Sequence, residues 1–173
     1  MSKVTLVKPS AALADAYQQY QEEWTQAGEK MIPTATQPAP VPFAERLIGW
    51  DNDETGTNIP PGWVKASVFF LVDEKGRILG ASHIRHDLTE DLLKVGGHVG
   101  YGVRPSERQK GYATEILKQS LVEVRKLGIK EVLVTCNDDN IGSAKAIEAN
   151  GGVRDQDEIE EDGTVIRRYW IKD

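Results

Sequence analysis

The sequence predicts an α/β protein, with a mixed and mostly antiparallel central sheet carrying helices on both faces. Three observations lead there. Short runs rich in β-branched and aromatic residues, such as "ASVFFLVD" (66–73) and "KEVLVTC" (130–136), read as strands. Other stretches place apolar residues at steps of three and four, as amphipathic helices do. The two kinds of segment interleave along 173 residues, a length that suits a single domain over 1–173 and is short for two.

Taken in order, "VTLVK" (4–8) is a first strand, closed by Pro9. Leu13, Ala16, Tyr17, Tyr20 and Trp24 mark a helix over about 11–26. "IPTATQPAPVP" (32–42) is a proline- and threonine-rich loop, Phe43 to Trp50 a short helix, and "DNDETGTNIPPG" (51–62) a second loop. "ASVFFLVD", "RILGASHIRH" (77–86) and "KVGGHVGYGV" (94–103), separated by "EKG" and the polar "DLTEDLL", form an antiparallel meander. Ala113, Ile116, Leu117, Leu121, Val124 and Leu127 share one face of a helix that starts near Gly111 and stops at Gly128. The β-branched "KEVLVTC" fits a strand buried on both faces. Asn140 caps a further helix ending at Asn150-Gly151-Gly152, and "VRDQDEIEE" and "TVIRRYWIKD" flank Asp162-Gly163 as a closing hairpin.

Composition narrows the function. Apolar residues make up 39% and charged residues 28%, as in soluble globular proteins. No run suits a signal peptide or a membrane span, so a cytoplasmic protein without a membrane partner is expected. Cys136 is the single cysteine, which excludes an internal disulfide and agrees with a reducing compartment. A net charge of -6 argues against bulk nucleic-acid binding and is compatible with a cationic acceptor.

The most informative stretch is "GYGVRPSERQKGYATEIL" (100–117), in which a strand leads through a glycine-containing loop into a helix. The first amides of a helix lack intrahelical partners and carry the positive end of its dipole, so an anion is stabilised there. Gly111 removes the Cβ that would bar close approach, and the small Ala113 keeps the next turn open. From Tyr101 to Lys118 four basic residues (Arg104, Arg108, Lys110, Lys118) stand against two acidic ones (Glu107, Glu115), net +2 in a chain of net -6. No Walker loop is present, and Pro105 occupies the third glycine position of a dinucleotide fingerprint. The alternative is that the glycines serve only to bend the sheet.

Arg108-Gln109-Lys110-Gly111-Tyr112-Ala113 resembles the Arg/Gln-x-x-Gly-x-Gly/Ala pattern with which GNAT-type N-acetyltransferases hold the pyrophosphate of acetyl-CoA. "NIGSAKAIEANGG" (140–152) resembles a second segment of that family, with Asn140, Ser143, Glu148 and Gly151 in register. "GGHVGYGVRPSERQKGYA" with "VTCNDDN" is similar to a group of predicted acetyltransferases of unknown acceptor. The resemblance implies an acyl-CoA N-acyltransferase-like fold. It also implies acetyl transfer from acetyl-CoA, without a metal, to a primary amine of a small molecule or peptide by direct attack in a ternary complex. Tyr101, Val103, Arg108, Gln109, Lys110, Gly111, Tyr112, Ala113, Thr114, Asn140 and Ser143 are the residues it assigns to the cofactor. The tyrosine that often protonates the departing thiolate is replaced by Ile147, and the usual aromatic after the glycine by Gly152. A non-catalytic CoA-binding or regulatory domain of the same fold is therefore the alternative.

Several side chains are candidates for the chemistry. His98, five residues before Val103, is the preferred general base, against a structural, hydrogen-bonded histidine. Tyr101 is a candidate donor to the thiolate or a core residue. His83 and His86 are offset by three in a strand and face opposite ways, which argues against a shared metal, though either can contact the acceptor. Cys136 is either a relay nucleophile or, as lone strand cysteines more often are, a small buried side chain. Trp24, Trp50 and Trp63 line an acceptor pocket or pack in the core. The closing strands are a candidate homodimer interface.

Overall fold

Strands β1 (Thr5–Val7), β2 (Ala66–Val72), β3 (Ile78–Arg85) and β4 (Val99–Val103) form one sheet in that order, each pairing antiparallel, in the computed structural model, which describes residues 3–173. β5 (Glu131–Asn137), β6 (Val153–Arg154), β7 (Glu158–Ile159) and β8 (Val165–Lys172) form a second sheet, in which β8 pairs with the other three. The helices are α1 (Ala14–Gln26), α2 (Phe43–Thr55), α3 (Glu90–Lys94), α4 (Tyr112–Lys126) and α5 (Ile141–Ala149). No helix among the described residues is long and apolar enough to cross a membrane.

Burial follows the strand period. Val68 and Phe70 of β2 reach one face, where Tyr17, Tyr20 and Trp24 of α1 and Trp50 of α2 cover them. Phe69 points the other way, into a cluster with Leu117, Leu121 and Val124 of α4, Ile147 of α5, and Val132, Val134 and Ile171 of the second sheet. Of the face predicted for α4, Ile116, Leu117, Leu121 and Val124 are buried and Ala113 is half-buried, whereas Leu127 lies just past the helix end and is exposed.

The central sheet divides between β4 and β5. An isolated antiparallel bridge joins Gly97 to Val134, and the His98 N–H donates to the Leu133 carbonyl at 2.8 Å. From Val99 onward β4 has no strand partner on that side. Gly96 and Gly97 both take positive φ (107° and 62°), and a Cβ on Gly97 would collide with the Leu133 carbonyl, so the crossing requires glycine there.

Three expectations are corrected. Helix α2 runs to Thr55 rather than Trp50, because its polar last turn lies outside the core and Gly56, at φ 83°, ends it. The polar "DLTEDLL" contains α3, whose cap is the Thr89 hydroxyl accepting from the Leu92 N–H at 3.2 Å. The first arm of the closing hairpin is broken into β6 and β7, since the register passes from Arg154 opposite Tyr169 to Glu158 opposite Ile166 with one extra residue bulged out.

Candidate functional site

The loop between β4 and α4 is shaped by two left-handed residues, Gln109 (φ 63°) and Gly111 (φ 84°). After the Glu107 N–H, which donates to the Arg104 carbonyl at 2.9 Å, the next N–H with a backbone acceptor is that of Glu115, bonded to the Gly111 carbonyl at 3.2 Å. Among the described residues no acceptor is found for the N–H groups from Gln109 to Thr114. Those donors lie at the positive end of a helix, where phosphate oxygens are stabilised. A Cβ on Gly111 would meet nothing within 4 Å, so space for a ligand lies open beside it.

The side chains of this loop do something else. Arg108 gives two hydrogen bonds to Glu29, at 2.9 and 2.8 Å, and its guanidinium lies 5.3 Å from the Trp24 ring centre. Arg104, 4% exposed, binds Glu23 at 2.7 Å and the Ile78 carbonyl at 3.0 Å. Lys110 pairs with Glu107 at 2.9 Å. The positive excess counted along the sequence is therefore largely neutralised by ion pairing, and the backbone amides are the unspent donors. Tyr112 packs against the cluster of Leu71, Leu79 and Ile116 at the start of α4. The Thr114 carbonyl accepts from Asn150, tying α4 to α5 at 3.1 Å. Ala113 is half-buried, and Gln109 is exposed.

The gap beyond the divided sheet is the second part of the site. Arg85 N–H bonds to the His98 carbonyl and Arg104 N–H to the Leu79 carbonyl, which sets the antiparallel alternation. By that alternation the N–H groups of Tyr101 and Val103 point away from β3, toward the gap. The Tyr101 hydroxyl lies 2.7 Å from Ser143 Oγ and 3.4 Å from the Ser143 carbonyl. Burial pushes its pKa up to about 12, against the opposing Ser143 hydrogen bond, so the phenol stays protonated at neutral pH. Asn140 caps α5 by accepting from the Ser143 N–H at 3.1 Å, which fixes Ser143 in front of Tyr101.

His98 does not have a base's geometry. It is 5% exposed, and its Nδ1 accepts from the Leu133 N–H at 3.0 Å, leaving the hydrogen on Nε2. Burial lowers its pKa further. With backbone and side chain both bonded to Leu133, it clasps the two sheets together. The preference for His98 as the base is corrected on that ground: its lone pair is already used.

The other candidates separate clearly. Cys136 is buried, and burial raises its pKa, which keeps it a thiol. His83 stands opposite Val68 and Gly100 on the α1/α2 face, whereas His86 bonds Ser67 Oγ at 2.7 Å. Among the described residues no three metal-ligating side chains cluster. Trp24 and Trp50 are core, at 2% and 4% exposure, and Trp63 is exposed. Ile147 is fully buried, and a Cβ on Gly152 would strike its side chain and carbonyl, so the two departures from the family pattern pack against each other. Sequence reading missed Glu23 and Glu29. Nothing near them in the chain signals their role, because their partners lie about 80 residues away.

A split sheet with an amide-lined loop ahead of its central helix defines the acyl-CoA N-acyltransferase-like fold. The chain belongs to the GNAT acetyltransferase family: the model described as "Acetyltransferase (GNAT) domain" matches residues 3–153. RimL, a ribosomal L7/L12 α-N-protein acetyltransferase solved with coenzyme A, is 12% identical, with 99% of this chain and 95% of that chain covered and a TM-score of 0.70. A chimera of the Vibrio cholerae spermidine N-acetyltransferase SpeG and hSSAT is 13% identical over 99% of this chain and 96% of that one, at TM-score 0.67. YncA from Salmonella typhimurium, solved with its cofactor acetyl-CoA, is 14% identical over 98% and 93%, at TM-score 0.61. At these identities the likeness is one of fold. No curated protein sequence matches the chain.

Proposed function

We propose that the protein is an N-acetyltransferase that moves the acetyl group of acetyl-CoA to a primary amine of a small molecule or peptide, by direct attack within a ternary complex. The observation that carries this reading is that, among the described residues, the N–H groups from Gln109 to Thr114 at the start of α4 have no acceptor, in the loop that follows β4, whose Tyr101 meets Ser143. Membership of the family and the solved relatives with coenzyme A or acetyl-CoA support it.

Acetyl-CoA supplies the activated acetyl group, which passes to the amine nitrogen as its carbon–sulfur bond breaks. The amides from Gln109 to Thr114 hold the diphosphate, with no lysine or arginine side chain required. The N–H groups of Tyr101 and Val103 are fixed donors for an oxygen that gains negative charge, and fixed donors cost no reorganisation when the charge develops. Tyr101 donates its hydroxyl proton to the departing thiolate and regains one through Ser143. It thus fills the role vacated by Ile147. The proton lost by the ammonium goes to water, since His98 has no free lone pair.

The test is thiol release from acetyl-CoA across a panel of small amines and N-terminal peptides. Release that depends on the amine supports the transferase. Tight coenzyme A binding with no release for any amine would replace it with the non-catalytic binding domain.

A further inference from the structure

The Arg108 side chain belongs to the loop expected to meet phosphate, yet it is turned toward the end of α1. Its two bonds to Glu29 are nearly equal in length, 2.9 and 2.8 Å, the two-pronged geometry in which a guanidinium is most strongly oriented. Trp24 supports it from one side. Nearby, Glu23 accepts from Arg104 at 2.7 Å, from the Ser106 N–H at 2.8 Å and from Ser106 Oγ at 2.9 Å. Two carboxylates, Glu23 in the last turns of α1 and Glu29 just beyond its end, therefore grip the segment 104–108.

Beyond Glu29 the chain enters residues 31–37, which are bonded internally. Gln37 reaches the Met31 carbonyl at 2.9 Å, and Thr36 Oγ1 the Pro33 carbonyl at 2.6 Å. Arg46, Trp50 and Tyr17 anchor the segment through the carbonyls of Ala35, Thr36 and Gln37. At its near end the Ile32 carbonyl sits directly over Gly102 of β4, where any side chain would collide with it. One stretch of chain thus touches the phosphate loop through Glu29 and the central strand through Ile32, on the face opposite α4.

Building on the proposed coenzyme A site, we propose that Glu29 and Arg108 couple the two: occupation of the amide cradle is transmitted through this ion pair to residues 31–37, which wall the far side of β4. In this role Arg108 is a positioning residue and makes no contact with phosphate. The pair is exposed enough, at 41% and 43% of the side chains, for substitution without loss of the fold.

The experiment is hydrogen–deuterium exchange of the full chain with and without coenzyme A, for the wild type, Glu29→Gln, Glu29→Asp and Arg108→Gln, with affinities by calorimetry. Coenzyme A is expected to slow exchange across residues 31–37 by about threefold or more in the wild type, the scale of a modest coupling. Glu29→Gln and Arg108→Gln should bind coenzyme A within about threefold of the wild type and lose that slowing, while Glu29→Asp keeps part of it. Binding by the wild type without slowing over 31–37 overturns this inference alone. So does a tenfold or greater loss of coenzyme A affinity in Arg108→Gln with slowing intact in Glu29→Gln, which would make the arginine a phosphate ligand. No binding by the wild type overturns the proposed function as well.

Discussion

Substituting Gly111 separates the shape of the proposed phosphate loop from its charge. Its backbone sits at φ 84° and ψ 7°, a left-handed conformation that asparagine and aspartate tolerate better than other non-glycine residues. Because a Cβ there meets nothing within 4 Å, neither residue needs the protein to repack. Gly111→Asn and Gly111→Asp are nearly the same size and differ by one negative charge. A carboxylate about 5 Å from a bound phosphate, at an effective dielectric of about 20, costs roughly 3 kcal/mol, or about 100-fold in affinity. Titration calorimetry with coenzyme A on folded material is the assay. The aspartate variant should bind about 100-fold more weakly than the asparagine variant. Equal affinities would refute the placement of the diphosphate against these amides.

Tyr101→Phe should lower kcat by about 10- to 100-fold while leaving coenzyme A affinity unchanged, read from steady-state kinetics and calorimetry together. Tyr101 also contributes a pH dependence: its folded pKa, near 12, lies above the unfolded value of about 10, so its stabilising contribution is complete below pH 10 and is lost as pH rises toward 12. Urea midpoints at pH 8 and pH 11 should accordingly fall more in the wild type than in Tyr101→Phe. Cys136→Ala should keep turnover within about threefold and cost about 1 kcal/mol of stability, whereas abolished turnover would indicate a covalent relay. His98→Ala should cost about 2–3 kcal/mol, by leaving a cavity and an unpaired Leu133 N–H between the sheets, without changing the pH profile of turnover.

What the sequence reveals here depends on how local the determining contacts are. Helix α4 and its loop were legible because periodicity, Gly111 and the phosphate-loop pattern all fall within a few turns of one another. Helix α3 was hidden in "DLTEDLL", a segment so short that its cap residue Thr89 carries most of the signal. The charge of the loop was misjudged for the opposite reason. Arg104 and Arg108 look free in sequence, and the carboxylates that neutralise them arrive from α1 (Glu23) and from just beyond it (Glu29) through tertiary packing. His98 shows the same limit: its place five residues before Val103 suggests a base near the reacting centre, but the fold turns its Nδ1 to the Leu133 N–H. Nor does the pattern show that Tyr101, on β4, meets Ser143, on α5, across the gap.

The most direct test of the account is an amide-resolved NMR titration of the isotope-labelled protein with coenzyme A. The largest shifts are expected at the backbone N–H groups from Gln109 to Thr114, moving downfield as they gain acceptors. Saturable binding that left those resonances in place would contradict it.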